Sequence, residues 1–475
     1  MILTIARREL LDTWRDGQVR VAAVILAALL LLALAVGIAH SGSREAIRSA
    51  AQAEDARVWV SQGKLNPHSA AHFGRYLFKP VGPLAFVDEG INPYAGSSVY
   101  LEAHVQTPAR SRPAEDATFL SVFGELTAAL TLQLLIPLLI ILCAFAAFSG
   151  ERENGTFRQL LSLGVPRTKL LAGKALGLTA AIAAILLPLL PIGAGAVLLN
   201  GPEGGDAGAD LLRLALLCIG YLAYFAAFIG LTLAVSALAS SSRAALVTLL
   251  GCWLAIALLL PRFAADAAER LAPVPSITAF KQAVSDDIAK GVSGHDASDV
   301  RLEAVKQQLF QKYGVSRVED LPINFDGVSL SEGERYGNEV LDAHYGRLWK
   351  QYDRQAAVQR LFALISPLIA LRPLSMALSG TDLALHRAFT DQAEAFRRSF
   401  IAQINDYYTA NGKFDDWRYT ADQALWKQIR PFSYTPPSMV ATLMPQGPNL
   451  LLLIGWTIAI WLFAAWAIGR AEVDA

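Results

Sequence analysis

The sequence predicts a mainly α-helical integral membrane protein with six spans and a mainly helical domain outside the membrane. Only 17% of its 475 residues are charged, against about a quarter in an average soluble domain. Six stretches are also apolar over roughly the 20 residues that a spanning helix needs. The predicted spans are 21–39, 127–149, 175–199, 211–239, 244–261 and 449–469.

The first span is expected to be retained. Residues 21–39 form a run of 19, longer than the apolar core of about 7–15 residues in a cleavable signal peptide. Residues 41–60 are rich in Ala, Glu and Arg, which are strong helix formers. The helix of the first span is therefore predicted to extend beyond the membrane.

Orientation follows from lysine and arginine in the short loops. Basic residues lie in 1–20, 150–174 and the 240–243 turn, and the tail 470–475 begins with Arg470. The loop 200–210 has none. Both termini are therefore predicted inside.

This orientation places the segments 40–126 and 262–448 outside the membrane. Gly-Pro punctuation in 66–106 predicts loops and a few strands. Helical periodicity predicts a mostly helical second segment.

One stretch, 361–379, is apolar enough to be weighed as a seventh span. Arg372 would then lie near the bilayer centre, at a cost of about 2.5–3.5 kcal/mol. Pro367 and Pro373 would interrupt the helix. The stretch is therefore predicted to be an interfacial or buried helix of the outer domain.

Composition and motifs exclude several functions. The net charge is zero, which gives no overall basic surface for nucleic acid. The sequence has no phosphate-binding loop and no nucleophile or metalloprotease motif. We therefore expect neither an enzyme nor a nucleotide cofactor in this chain.

Three histidines are the metal candidates. His68 and His72 are four residues apart, and His104 follows two residues after Glu102. An i,i+4 pair on a helix can hold a metal, but local spacing fixes no third ligand. The alternative is that these side chains pack within a loop-rich fold, and the sequence predicts no metal.

The segment 150–174 interrupts the apolar runs with a basic hairpin. Thr156 is predicted to cap a short helix, with Gln159 completing a capping box. Phe157, Leu160 and Leu161 form an apolar stripe. Such a helix either rests on lipid or inserts into a groove of a partner.

The hairpin resembles the one that follows the second span in ABC-2 type (exporter-class, type V) ABC transporter permeases. The matching positions are Glu151, Gly155, Thr156, Leu160, Leu161, Ser162, Arg167, Leu171, Gly173 and Lys174. Gly164-Val165-Pro166 stands where that family usually has Pro-Val. The stretches "PHSAAHFGRYLFKP" and "GINPYAGSSVYLEAH" resemble the DUF3526-like subgroup with large outer loops, related to the permease of the nitrous-oxide-reductase copper-processing system.

The resemblance implies a permease of the bacterial cytoplasmic membrane that pairs with an identical or homologous permease. Two copies of a separate ATP-binding subunit would bind ATP and Mg²⁺, and would move a coupling helix at 155–163. The implied coupling residues are Glu151, Arg152, Glu153, Gly155, Thr156, Arg158, Leu160, Leu161 and Arg167.

Within that set, Glu151 and Glu153 would anchor the base of the hairpin, while Arg158 and Arg167 would pair with acidic groups of the ATPase. The motion would serve export, or mechanical work on a periplasmic protein. The alternative is a membrane-anchored assembly or sensor protein whose outer domain binds a periplasmic partner.

Overall fold

The computed structural model of the protein describes residues 1–115, 126–200 and 206–472. These residues are mainly helical, as the sequence predicts, and the strands among them form one three-stranded antiparallel sheet. The predicted segment 40–126, the acidic loop 200–210 and the tail 470–475 each include residues outside the described ranges.

The first part of the chain forms a long helix and the sheet. Its elements are α1 (Ile2–Arg15), α2 (Gly17–Ser61), α3 (Pro67–Phe73), β1 (Arg75–Phe78), α4 (Asn92–Ala95), β2 (Ser98–Glu102) and β3 (Val105–Gln106). β2 lies between β1 and β3. α2 continues without a break from the first apolar run through 41–60, as the helix-forming composition predicts.

The middle of the chain contains most of the apolar helices. They are α5 (Ala128–Leu130), α6 (Ile136–Ala144), α7 (Ser149–Glu153), α8 (Thr156–Ser162), α9 (Arg167–Leu186), α10 (Leu190–Asn200), α11 (Ala207–Leu238), α12 (Ser242–Leu254) and α13 (Leu260–Leu271). π-helical turns join α5 to α6 and α12 to α13, and a 3₁₀ turn joins α9 to α10. Pro137, Pro188 and Pro261 lie in or just after these irregular turns, because proline cannot donate the regular helical hydrogen bond.

The last part of the chain is helical up to the final apolar segment. Its helices are α14 (Ile277–Ile288), α15 (Glu303–Tyr313), α16 (Phe325–Phe362), α17 (Pro367–Ser379), α18 (Leu383–Asn411), α19 (Gln423–Gln428), α20 (Met439–Leu443) and α21 (Gly447–Arg470).

Seven helical segments in the described residues are long and apolar enough to cross a membrane, one more than the sequence predicts. Six of them cover the predicted spans to within one residue: Gly17–Ser61, Ala128–Glu153, Arg167–Leu199, Ala207–Leu238, Ser242–Leu271 and Met439–Arg470. The seventh, Pro367–Asn411, comprises α17 and α18.

The additional candidate divides into two helices with different surroundings. α17 is largely buried and packs against α11 and α21. Its 13 residues extend about 20 Å, short of the hydrocarbon thickness of about 30 Å. The half-buried Arg372 donates from Nε to Gln133 Oε1 at 3.0 Å, which gives its guanidinium a partner. The structure buries α17 in the core of the apolar helices, with Leu368, Leu371 and Leu374, and not in a core of the outer domain as predicted for 361–379.

α18 belongs to a second core that joins the two long polar segments of the chain. Phe389 and Phe400 of α18 pack there with Trp59 of α2 and Trp426 of α19. The Trp59 indole donates to the Trp426 carbonyl at 3.1 Å, and the Trp426 indole donates to the Gly63 carbonyl at 2.8 Å. Segments far apart in sequence therefore form a second body beside the apolar helices, built around this core.

Candidate functional site

The basic hairpin consists of two short helices and the start of α9. α7 ends at Glu153, and α8 occupies Thr156–Ser162. Gly155 between them has φ 71°, a left-handed conformation that glycine adopts without steric cost. Pro166 precedes α9 in an extended conformation.

The predicted capping role of Thr156 is wrong. Gly155 occupies the cap position, and no side chain caps α8. Thr156 is the first helical residue, and its hydroxyl donates to the Glu151 carbonyl at 3.1 Å. The Thr-x-x-Gln pattern predicts the cap at Thr156, but the cap lies one residue earlier, at Gly155. Gly155 adopts the left-handed conformation that turns the chain between α7 and α8, which glycine does without steric cost.

α8 is amphipathic, as its sequence pattern predicts. Phe157 is fully buried and lies edge-to-face with Phe148, their ring centroids 6.1 Å apart. Leu160 and Leu161 are half-buried against the same core. Arg158 and Gln159 are exposed. Its apolar side therefore packs against the protein's own apolar helices.

Arg152 contacts the carboxyl end of α11. Its guanidinium donates to the carbonyls of Ala237 and Ala239, and to that of Ser236 at 3.3 Å. The last carbonyls of a helix have no partner within the helix, and they carry partial negative charge. The buried Arg152 supplies both the hydrogen bonds and the opposite charge.

Glu153 contacts the next helix along the chain. One carboxylate oxygen accepts from the Ser242 amide at 2.8 Å, and the other accepts from the Ser242 hydroxyl at 2.7 Å. Ser242 is the first residue of α12, where free amides favour a carboxylate. Adjacent hairpin residues therefore bind the two sides of the α11–α12 turn.

Arg167 contacts the last apolar helix. Its guanidinium donates to the carbonyls of Ile468, at 3.2 Å, and of Gly469, near the end of α21. Arg167 is thus held within the chain, where the sequence suggested an acidic group on another subunit.

Glu151 joins the hairpin to the N-terminal helix through Lys174. The Lys174 ammonium lies 2.9 Å from a Glu151 oxygen and 2.9 Å from a Glu9 oxygen. α1 can approach α9 closely because Gly173 and Gly177 have no side chain; a Cβ on Gly173 would lie 2.6 Å from Ile5.

The tip of the hairpin is exposed. Leu163, directly after α8, has 78% of its surface exposed. Arg158 and Ser162 before it in the chain, and Gly164 and Lys169 after it, are also exposed. The hairpin thus presents an apolar side chain among basic ones, while its base contacts four other helices.

The three candidate histidines meet in the second body, where His295 joins them. One ring nitrogen from each of His68, His72, His104 and His295 lies within 4.8 Å of the others. His68 Nε2 is 3.1 Å from His72 Nε2 and 3.1 Å from His295 Nε2. Imidazoles in this arrangement are suited to a metal ion such as Zn²⁺ or Cu²⁺.

Elements from both polar segments position these rings. Asn66 caps α3 by accepting from the His68 amide at 2.9 Å, and α3 carries His68 and His72. His104 lies in the β2–β3 turn with φ 66°. His295 lies in the loop that follows α14. The sequence could not indicate His295, since no local spacing links it to a residue 227 positions away.

Charged residues lie behind the cluster. Glu334 of α16 accepts from the His104 amide at 2.6 Å and lies 2.9 Å from its Nδ1. Arg397 of α18 donates to the other Glu334 oxygen at 3.0 Å. Burial by itself would raise the pKa of Glu334, but the His104 hydrogen bond and the Arg397 charge lower that pKa to about 2.

The cluster disfavours protonated imidazoles. Burial, followed by the nearby rings of His72, His104 and His295, lowers the pKa of His68 to about 3. Partial desolvation of their rings, followed by the neighbouring histidines, also lowers the pKa of His72 and of His295. Neutral rings are the form that ligates metal.

Comparison with protein families gives two adjacent matches. Residues 97–281 match a family described as ABC-2 family transporter protein. Residues 277–435 match a domain of unknown function, DUF3526. No curated protein was found to match the chain.

Proposed function

The chain is a multi-pass membrane protein with an ABC-2 transporter membrane domain and a DUF3526 domain, and we propose that its hairpin transmits ATP-driven motion from a separate ATPase. In this proposal the chain is the permease subunit, and two copies of the ATP-binding subunit carry the nucleotide chemistry. A second permease, identical or homologous, completes the assembly. The proposal takes six spans with both termini inside, so that the hairpin would lie in the bacterial cytoplasm.

The observation that supports the proposal is the set of contacts at the hairpin base. Arg152 binds the end of α11, Glu153 the start of α12, Arg167 the end of α21, and Glu151 reaches α1 through Lys174. A force on the hairpin therefore has a direct route to the ends of several apolar helices.

These contacts favour a coupling role over a helix that merely rests on lipid. A lipid-bound helix needs its apolar side against acyl chains, whereas Phe157 of α8 is fully buried against the protein. Coupling also needs a rigid element whose position both sites influence. The charged hydrogen bonds of Arg152, Glu153 and Arg167 at the hairpin base provide that rigidity.

The exposed tip supports a particular partner surface. Leu163 is apolar and exposed. Arg158, five residues before it, and Lys169, six residues after it, are basic and exposed. A complementary surface is an apolar groove with an acidic rim, since opposite charges steer and align partners. Arg158 and Lys169 are thus the basic side chains proposed to face the ATPase.

The second body is proposed to lie outside the membrane and to move when the apolar helices move. Its core joins residues near the end of α2, through Trp59, to α18 and α19. Movement of α2 would therefore displace Trp59 and the residues that pack against it in this core. The work done there is either export or mechanical action on a periplasmic protein.

The test is copurification of the tagged chain from its native membrane in mild detergent. Leu163→Glu places a charge at the exposed tip and should remove the ATP-binding protein from the preparation. Val300→Glu is the matched control, because Val300 is 84% exposed and lies in the second polar segment, in the 3₁₀ turn Val300–Leu302. The control should retain the ATPase.

The same experiment separates the alternative function. If outer proteins copurify without an ATP-binding protein, whether or not Leu163 is changed, the coupling proposal is wrong. The assembly or sensor function is then the better explanation.

A further inference from the structure

We propose that His68, His72, His104 and His295 form a binding site for a divalent transition metal ion of the Zn²⁺ or Cu²⁺ class. The four ligand nitrogens lie within 4.8 Å of one another. Nitrogens bound to zinc at about 2.0–2.1 Å in a tetrahedron lie roughly 3.3–3.4 Å apart. A bound ion would have to draw the four nitrogens together to that spacing. The proposal departs from the sequence-based expectation that the chain binds no metal.

The hydrogen bonds to the outer ring nitrogens direct lone pairs inward. His104 Nδ1 lies 2.9 Å from Glu334 Oε1 and donates to it, so that in a neutral ring Nε2 is the nitrogen that carries the lone pair. His295 Nδ1 donates to the Ser293 carbonyl at 3.2 Å, and this also leaves Nε2 as an acceptor. Such outer contacts commonly fix the tautomer of metal-binding histidines.

Protons alone do not satisfy the inward nitrogens. His68 Nε2 has to donate to the unprotonated His295 Nε2, and the same atom lies 3.1 Å from His72 Nε2. One proton cannot serve two acceptors well. The buried His104 Nε2 has no hydrogen-bond partner in the described residues. A cation at the centre satisfies all of these lone pairs together.

Two further features indicate that the ligands are held in position before an ion binds. His104 has φ 66°, uncommon for a residue other than glycine, and Glu334 holds it there through both amide and ring. Arg397 and Glu394 lie behind Glu334 and keep its carboxylate in place. The site also has an entry path, because His72 and His295 are exposed.

The ligands join two parts of the chain. His68, His72 and His104 come from the first polar segment, and His295 comes from the second. Four protein ligands are typical of a structural site, where no position is left for a substrate. The metal would therefore hold the loop that carries His295 against α3 and the β2–β3 turn.

The test is metal binding by the full-length protein in detergent after treatment with a chelator. Zn²⁺ is added, unbound metal is removed, and the bound metal is measured by elemental analysis. Wild type and His40→Ala, which changes a histidine outside the cluster, should retain one equivalent. His68→Ala/His104→Ala should retain none, and excess Mg²⁺ should not displace the zinc.

A second variant separates a site from general damage. Glu334→Gln keeps all four imidazoles but weakens the acceptor behind His104, and should reduce zinc affinity about 10–100-fold. Zinc should also protect the loop around His295 from proteolysis in wild type but not in the double variant. Equal zinc binding by wild type and the double variant, or no zinc uptake by well-folded wild type, overturns the proposal.

Discussion

Glu153 binds Ser242 through both carboxylate oxygens, at 2.8 Å to the amide and 2.7 Å to the hydroxyl. Its neighbour Arg152 binds carbonyls at the end of α11. Two consecutive residues of opposite charge therefore hold the end of one apolar helix and the start of the next. The backbone dipoles explain the order, since carbonyls at a helix end favour a cation and amides at a helix start favour an anion.

Replacing Arg152 by leucine should destabilise the protein. The change removes a buried guanidinium and leaves carbonyls of α11 without a donor, at a cost of about 1.5–3 kcal/mol. Thermal unfolding in detergent should show a lower midpoint. Arg158→Leu is the control, because Arg158 is exposed on the other side of the same hairpin; equal midpoints for the two variants would contradict the capping role.

Changing Arg167 should affect coupling without releasing the ATPase. Arg167→Glu places a carboxylate against the carbonyls of Ile468 and Gly469, which repel it. The ATPase should still copurify, since the tip is intact, but its hydrolysis should no longer respond to the permease. Hydrolysis by the purified complex measures this response.

Arg167→Lys is the matched control, because it keeps the charge and can still donate to one carbonyl. The control should keep most of the response. Loss of the ATPase from the Arg167→Glu complex would instead place Arg167 in the subunit interface, as the sequence alone suggested.

Lys174 should be needed mainly to neutralise its two carboxylates. Lys174 has 6% of its side chain exposed and lies between Glu9 and Glu151. Lys174→Met leaves these carboxylates facing each other, at a cost of about 3–5 kcal/mol. The triple variant Lys174→Met/Glu9→Gln/Glu151→Gln should recover much of this loss in a thermal unfolding assay. No recovery would mean that packing by Lys174, not charge, stabilises the contact.

Local patterns in the sequence predicted the apolar helices and the amphipathic α8, because hydrophobicity and periodicity are properties of neighbouring residues. Partners across the fold were not predictable in this way. Arg152 donates to the carbonyl of Ala237, 85 residues away, and Arg167 donates to the carbonyl of Ile468, 301 residues away. The sequence alone therefore gave no sign that either arginine binds backbone carbonyls of another helix.

The histidine cluster shows the same limit. The i,i+4 pair His68 and His72 marked a possible site, but its third and fourth members depend on how two long segments pack. Residues 361–379 were ambiguous for a related reason. Arg372 is costly in lipid but acceptable beside Gln133, and only the packed structure supplies that partner.

In the proposed mechanism, the hairpin moves the apolar helices when the ATPase binds nucleotide. Spin labels at Ser61→Cys, exposed at the end of α2, and at Val440→Cys, exposed in α20 before α21 begins, measure this motion by pulsed electron paramagnetic resonance. The background replaces Cys143, Cys218 and Cys252 by alanine, and the complex is compared without nucleotide and trapped with ATP and vanadate. The distance distribution should shift on trapping, and Glu153→Ala should abolish the shift while the ATPase remains bound. The same shift in both proteins, or none in the complex with intact Glu153, would contradict coupling through the hairpin.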